Sequence, residues 1–575
     1  MTTSVTRAEA LKRLTARGEP YELFETQALG RTIRAFANAP ATLRNLYEQG
    51  RSPLPFIVYD DQRLSFEDVW RQSAQLAAAL VTAHGIAKGD RVAISMRNYP
   101  EWIVAFNAVT SVGAIAVALN ALWQPAELEH ALNDSLPKVL FVDRERLDRL
   151  SNCTFPAGLQ VICVRTAQPP IGVLSYADVM AAFVDAEGPP PVEVLPDDDA
   201  IMLYTSGSTG HAKGVVSTHR NVISALLSAE LDGQVGVLTG LVRPPGPGGL
   251  QGAALLGVPL FHVSGLHVLA LPSYRAQRRL VCMYKWDPEV AAALIERERI
   301  TAFGAPPAMT GDLVQVARRL GGDLSSLALV GGGGAARAPE QVRAMEKAFP
   351  GALPATGWGM TETNSIGTSI AGADYLAHPE SSGRVSAVLD IRIVDEAGET
   401  LPALSRGELQ VRGASIMRGY WNRPDANADT FVEGWMRTGD VAYLDQDGFV
   451  YIVDRIKDLV IRGGENIGCG AVEAALLEHP DIVEVSVYGL PDERLGEELG
   501  ATIYGEIVAS ETELRAFLAP RLARFEIPRY LYFSAEPLPR GASGKILKRE
   551  LRDQAVNRLA PPAPSNRPSG DGHAS

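Results

Sequence analysis

Residues Trp102–Trp123 read WIVAFNAVTSVGAIAVALNALW, and the fold turns on how this run is read. It has spanning length and no formal charge. Gly113 interrupts it midway, and Asn107, Thr110, Ser111 and Asn120 are scattered through it. Pro100 suits the first turn of a helix. The pattern predicts a buried helix, a glycine break and a buried parallel strand. One isolated candidate span makes a poor membrane protein.

The same alternation continues on both sides. Phe56–Leu64, FIVYDDQRL, reads as two short strands around an Asp-Asp turn. Ser65 then opens a helix, with Asp68 three residues on and Phe66, Val69, Leu76 and Leu80 at helical spacing. Val92–Ser95, Val139–Val142 and Val161–Val164 are short apolar strands between helical stretches. A layered α/β domain with parallel strands follows. Gly188–Pro196 is a Pro-rich connector, and Arg243–Gly249, RPPGPGG, reads as a loop. Beyond residue 455, strands at Glu484–Tyr488, Ala501–Tyr504 and Arg529–Phe533 surround a helix near Glu511–Phe517. They predict a small, separate α+β unit. The tail from Ala560 is rich in Pro, Gly and Ser and reads as disordered.

The 575 residues carry a net charge of −13, so the global basic footprint of a nucleic-acid binder is missing. The four cysteines, Cys153, Cys163, Cys282 and Cys469, show no metal-site or disulfide spacing. They fit a reducing compartment, and the N-terminus lacks the apolar core of a secretory signal. A cytoplasmic location is expected.

Five segments carry chemistry. Tyr204–Gly214, YTSGSTGHAKG, follows an apolar strand. Its glycines let backbone N–H groups approach an anion, its hydroxyls add donors, and Lys213 adds charge. The Walker spacing is absent, which argues against a P-loop kinase. Gly357–Thr363, GWGMTET, offers an aromatic face at Trp358 and a carboxylate at Glu362, a natural Mg²⁺ ligand beside phosphates. Trp435–Asp440, WMRTGD, and Asp454–Asn466, DRIKDLVIRGGEN, place Asp440 and Arg455 where sugar hydroxyls or phosphate can be held. Pro539–Lys545, PRGASGK, puts a lysine on a flexible loop, able to meet developing charge. Each segment alone is also readable as an ordinary polar turn.

In this order, from about residue 50 to residue 555, the segments resemble the adenylate-forming superfamily of acyl-CoA synthetases and AMP-dependent ligases. The resemblance implies a large N-terminal domain, residues 1–456, with layered α/β sheets. A small mobile α+β domain, residues 457–560, follows, and then a disordered tail, 561–575. It also implies the reaction. A carboxylate attacks the α-phosphate of MgATP and expels pyrophosphate, and the acyl adenylate then passes its acyl group to a thiol, usually that of coenzyme A.

Roles implied by the resemblance fall on matching positions. Thr205, Ser206, Gly207, Ser208, Thr209, Gly210 and Lys213 hold the β- and γ-phosphates. Gly333, Gly334 and Ala335 line the adenine and acyl region. Gly357, Trp358, Gly359, Met360 and Thr361 complete the nucleotide site, with Trp358 stacking on adenine where a Tyr is commoner. Glu362 ligates the metal, Asp440 and Arg455 bind ribose, and Lys545 stabilises charge at the α-phosphate. Lys457 is the hinge, about which Gly463, Gly464 and Glu465 move toward the thiol. His262, in PLFHVSG, gates the acyl or thiol path, or is an ordinary core histidine. The glycine run 331–334 hints at a roomy acyl pocket, or serves adenine instead.

The expected activity is an acyl-CoA synthetase acting on a medium- or long-chain fatty acid or another bulky apolar acid. An aryl-acid CoA ligase, an acyl-AMP ligase loading a carrier protein and, more remotely, an inactive nucleotide-binding homologue stay open. LGGDLSSL at Leu320–Leu327 resembles a phosphopantetheine attachment segment but lies inside the large domain. The partners expected are the acid, ATP and CoA, with no nucleic acid and no transmembrane segment; a homodimer stays open.

Overall fold

Ser65 stops the strand Gln62–Ser65 and starts the helix Phe66–Thr82 at the same residue. In the computed structural model its hydroxyl accepts from the Asp68 N–H, while the Asp68 carboxylate accepts from the Ser65 N–H at 3.0 Å. Two otherwise orphaned donors are satisfied reciprocally, which fixes where the helix begins. The structure describes residues 5–205, 212–242, 250–320, 322–335 and 337–559. The loop at Arg243–Gly249 and the tail from Ala560 lie outside them.

The deciding run folds as read. Pro100–Ser111 is a helix, Gly113 takes φ +71°, and Ile115–Ala118 is a strand with every residue buried. A side chain at Gly113 would be strained in that left-handed region. No helix among the described residues is long and apolar enough to cross a membrane.

Ile115–Ala118 sits inside a sheet of eight described strands. Its parallel body runs Asp199–Thr205, Ile115–Ala118, Arg91–Ser95, Val139–Val142, Gln160–Cys163 and Val173–Ser175. Lys213–Thr218 and then Gly419–Tyr420 add antiparallel at one edge. A second sheet, of nine described strands, has a parallel body from Leu353–Thr356 through Leu329–Gly331, Ala302–Gly304, Ala253–Leu256 and Arg279–Cys282 to Pro55–Tyr59. One continuous apolar core joins residues of both sheets with those of the helices Phe66–Thr82, Pro100–Ser111 and His219–Leu238. Buried Trp102 and Phe106 stack within it at 5.5 Å. A third, antiparallel sheet includes Leu389–Val394, Gly407–Gly413 and Trp435–Leu444.

The chain divides into two compact units between Val453 and Asp454, with the short segment Ala542–Lys545 grouped with the first. The second unit has its own sheet, ordered Glu465–Ile467, Val460–Arg462, Gly496–Gly505, Ile482–Asp492, with Tyr530–Ser534 parallel to Gly496–Gly505. Its core packs Val472, Leu476, Val487, Leu499, Ile503, Leu514 and Leu518. Ser510 and Glu513 form a capping box that starts the helix Glu511–Leu518. The unit is the α+β body that the strand and helix pattern predicts.

Candidate active site

Lys213 begins the strand Lys213–Thr218, and its antiparallel partner is Thr205, the last residue of Asp199–Thr205. The two ends of the Gly/Ser/Thr loop are therefore held opposite each other by the sheet. Ser206, Gly207, Ser208, Thr209 and Gly210 lie outside the described residues. The Lys213 ammonium sits 5.0 Å from the centre of the Tyr420 ring, within cation–π range.

Tyr420 belongs to the edge strand Gly419–Tyr420, which pairs with Lys213–Thr218. The Asn427 side chain clamps its backbone, accepting from the Tyr420 N–H at 2.7 Å and donating to the Tyr420 carbonyl at 2.9 Å. Its hydroxyl donates to Glu362 Oε1 at 2.8 Å. Glu362 is buried, in the 3₁₀ turn Thr361–Thr363, and its carbonyl accepts from the Met417 N–H at 2.8 Å. The turn closes through two successive left-handed residues, Asn364 at φ +55° and Ser365 at φ +72°. Non-glycine residues adopt that region at a cost, and such strain concentrates where function over-determines the backbone. The Lys213 ammonium and the buried Glu362 carboxylate thus meet through one phenol that the sequence reading missed. The only linear signal was the pair Gly419-Tyr420.

Four residues before Glu362, Trp358 marks a second cluster. Its indole N–H donates to Asp440 Oδ2 at 2.7 Å. Asp440 is buried on the strand Trp435–Leu444. Pairing with Gly407–Gly413 shifts register between Glu408 and Gln410, and Gly439 takes φ +71° opposite that shift. A bulge with a left-handed glycine re-aims the next side chain. That is why the Arg-Thr-Gly-Asp spelling delivers a carboxylate here. Asp440 N–H donates to Thr438 Oγ1 at 3.1 Å, and Thr438 Oγ1 donates to the Leu409 carbonyl at 2.6 Å.

The glycine run has a structural reason. A Cβ on Gly331 would lie 2.1 Å from the Ala355 carbonyl oxygen, and one on Gly332 2.3 Å from that of Ala305. Close approach of neighbouring strand ends thus accounts for these two positions, which give no support to a roomy acyl pocket. Gly333 is half-buried, and a Cβ on it would lie 2.7 Å from the Gly357 carbonyl oxygen; Ala335 is exposed. A Cβ on Gly334 would lie 3.1 Å from Lys545 Cε. Gly357, Gly359 and Met360 flank Trp358 and are half-buried.

His262 is half-buried, its Nδ1 3.3 Å from Ser264 Oγ. Burial, and then the charge of Lys545, push its pKa down to about 4. The imidazole is neutral near pH 7, suited to hydrogen bonding and not to holding charge. Buried Asn98 positions this segment: its Oδ1 accepts from the Leu260 N–H at 2.9 Å and its Nδ2 donates to the Val258 carbonyl at 3.0 Å. Sequence reasoning missed Asn98, whose partners are far away along the chain. Buried His267 was missed as well. It lies in a π-turn, Leu266–Ala270, and burial pushes its pKa down to about 3.

Arg455, Lys457, Gly463, Gly464 and Glu465 belong to the second unit. Arg455 and Lys457 are exposed at the 3₁₀ turn Ile456–Asp458. Gly463 at φ +60° and Gly464 at φ +94° join Val460–Arg462 to Glu465–Ile467, and Arg462 pairs with Glu465. Two positive-φ residues between paired strands are the requirement of a two-residue hairpin.

Among the described residues no group of three or more His, Cys, Asp or Glu side chains gathers as a metal site. A lone buried carboxylate such as Glu362 still fits Mg²⁺, which takes most of its oxygens from nucleotide phosphates and water.

Two family models match in sequence order: AMP-binding enzyme over residues 48–421, and AMP-binding enzyme C-terminal domain over residues 471–545. The chain is 33% identical over 491 residues to the long-chain-fatty-acid–CoA ligase FadD13 of Mycobacterium tuberculosis, covering 84% of this chain and 91% of that one. It is 33% identical over 498 residues to the feruloyl-CoA synthase of Amycolatopsis sp, covering 85% and 93%. Among solved structures it resembles the anthranilate CoA ligase AuaEII in complex with anthranoyl-AMP. That match has a TM-score of 0.80 and 25% identity, covering 90% of this chain and 98% of that one. These matches define a class, the adenylate-forming acid–CoA ligases, whose reaction uses ATP, Mg²⁺ and CoA. The chain belongs to the AMP-binding enzyme family and is an AMP-forming acid–CoA ligase of acyl or aryl acids.

Proposed function

We propose that this ligase activates a medium- or long-chain fatty acid or another bulky apolar acid. One observation carries the site assignment. Trp358 with Asp440, and Glu362 with Tyr420 and Lys213, form two clusters four residues apart along GWGMTET. The spacing suits an adenosine at the first and its phosphates at the second. Phe261, Val263, Leu266 and Leu269, close to His262 along the chain, are buried apolar residues, and the acid is assigned to their neighbourhood. Similarity to a long-chain-fatty-acid ligase favours an alkyl chain. Similarity to a feruloyl-CoA synthase favours the second reading, an aryl acid.

In the first half-reaction a carboxylate oxygen of the acid attacks the α-phosphorus, and the bond to the bridging oxygen breaks as pyrophosphate leaves. Trp358 supplies a face for adenine and Asp440 accepts from the ribose hydroxyls; Arg455 is also assigned to the ribose. Thr361 and Lys213, with Thr205 at the mouth of the loop, contact the phosphates. Glu362 would hold Mg²⁺, which would supply charge neutralisation at the phosphates. Lys545, beside Gly334, stabilises the charge that develops between carboxylate and α-phosphate. In the second half-reaction the CoA sulfur attacks the acyl carbonyl, the acyl–phosphate bond breaks and AMP leaves. Rotation about Lys457 withdraws Lys545 and brings Gly463, Gly464 and Glu465 to the thiol. Free thiols at all four cysteines support a cytoplasmic setting.

The test is a panel of acids, from short alkanoates to C18 and including ferulate, given with MgATP and CoA. Pyrophosphate release and thioester are followed together. Highest kcat/KM for C8–C18 acids with CoA is expected. Preference for ferulate moves the assignment to aryl acids, and adenylate without thioester moves the acceptor to a carrier protein.

A further inference from the structure

The aromatic residue of GWGMTET carries a polar atom, and that atom is used. The Trp358 indole N–H meets Asp440 Oδ2 at 2.7 Å, a charge-assisted hydrogen bond to a carboxylate with 4% exposure. The ring cannot drift from this position. A Cβ on Gly367 would lie 2.2 Å from Cε3 and 2.4 Å from Cζ3, so the six-membered edge lies hard against that glycine. The Trp358 N–H donates to Thr368 Oγ1 at 3.2 Å, and its carbonyl accepts from the Thr368 N–H at 3.0 Å. The residue keeps a half-exposed surface.

We propose that Trp358 is a positioning residue for sugar selection: its N–H fixes the plane of the Asp440 carboxylate that reads the ribose diol. The proposal rests on the reading that Asp440 accepts from ribose. A carboxylate has two oxygens and about four lone-pair directions. Which of them meet two neighbouring hydroxyls depends on rotation about its terminal bond, a broad and soft torsion. Backbone anchoring through Thr438 and the bulge at Gly439 places the Asp440 Cα. The indole N–H acts on the carboxylate itself and restrains that rotation. Phenylalanine offers a stacking face with no donor, and a tyrosine hydroxyl projects from the ring apex along a different direction. The tryptophan in this chain therefore couples the aromatic shelf to the sugar-reading carboxylate.

The experiment compares ATP with 2′-deoxy-ATP and 3′-deoxy-ATP by pyrophosphate release, in full-length wild type, Trp358→Phe and Asp440→Asn. Wild type should prefer ATP. In Trp358→Phe the preference should fall about tenfold, in line with one lost charge-assisted hydrogen bond, with the change in KM for nucleotide and little in kcat. A residue that only fills space would weaken ATP and both deoxy analogues alike. Replacing Trp358 by β-(3-benzothienyl)alanine keeps the ring size and removes the N–H. It gives the same reading should Trp358→Phe fail to fold. A wild type indifferent to the deoxy analogues overturns the ribose role of Asp440. A wild type that discriminates, alongside variants that discriminate equally well, overturns the role of Trp358 alone.

Discussion

The Tyr420 hydroxyl donates to Glu362 Oε1 at 2.8 Å, joining two residues that lie 58 positions apart. The same phenol ring lies 5.0 Å from the Lys213 ammonium. A buried carboxylate held by a donor keeps one orientation, and a metal ligand in one orientation needs no reorganisation when charge develops. Tyr420→Phe removes the donor and leaves the ring under Lys213. Adenylation at limiting Mg²⁺ should fall by about 3–30-fold and recover in part at high Mg²⁺, whereas Glu362→Ala should cost at least ~10²-fold at any Mg²⁺ concentration. Magnesium titrations of pyrophosphate release check both. A Tyr420→Phe enzyme with an unchanged Mg²⁺ requirement would detach the phenol from the metal-binding role proposed for Glu362.

The role proposed for Lys545 is confined to one half-reaction. Lys545→Ala should reduce pyrophosphate release by ~10²-fold or more, while thioester formation from supplied acyl adenylate stays within about threefold of wild type. Rapid-quench assays of the two steps separate them. Equal loss in both would overturn the proposed hinge at Lys457.

Gly439 holds the bulge that aims Asp440, and a Cβ there meets nothing within 4 Å. The penalty for a side chain is thus conformational alone. Gly439→Ala should destabilise the protein by about 1–2 kcal/mol and raise the KM for ATP severalfold, and Gly439→Asn should do less because Asn tolerates the left-handed region. Denaturant unfolding and ATP titrations are the measurements. Alanine and asparagine variants both matching wild type would remove the bulge from the account of Asp440.

Much of this was legible in the chain because the signals are local. Ser65 and Asp68 are three residues apart, and Gly113 breaks its run in place. The second unit's strands alternate or run apolar between clear turns. Residues missed were those whose partners are remote. Tyr420 belongs to a two-residue edge strand paired with Val215, and Asn98 reaches carbonyls around residue 258. No periodicity marks either. The glycine run is a different case. As sequence it suits either room for an acyl chain or a place for adenine, whereas Gly331 and Gly332 are set by carbonyl oxygens of neighbouring segments. A sequence shows that a side chain is missing but not which atoms occupy its place.

Buried histidines set the acid limit of stability. His219 is fully buried, and its Nδ1 accepts from the Leu43 N–H at 3.1 Å, tying the helix Leu43–Gln49 to the start of His219–Leu238. Burial pushes its pKa down to about 4, with Asp198 opposing and Lys88 reinforcing the shift. The unfolded side chain titrates near 6.5. Above that value both states are neutral and the stability is whole. As pH falls from 6.5 toward 4 the unfolded state binds the proton first, so stability drains by on the order of 2–3 kcal/mol through this one group. His262 and His267, with pKa values pushed to about 4 and about 3, drain it over the same window. His219→Asn keeps an acceptor for the Leu43 N–H and cannot titrate. It should be less stable than wild type at pH 8, yet lose less on acidification, so that the two curves converge toward pH 4. Urea unfolding at half-unit pH steps measures this, and parallel curves would mean that His219 takes up no proton on unfolding.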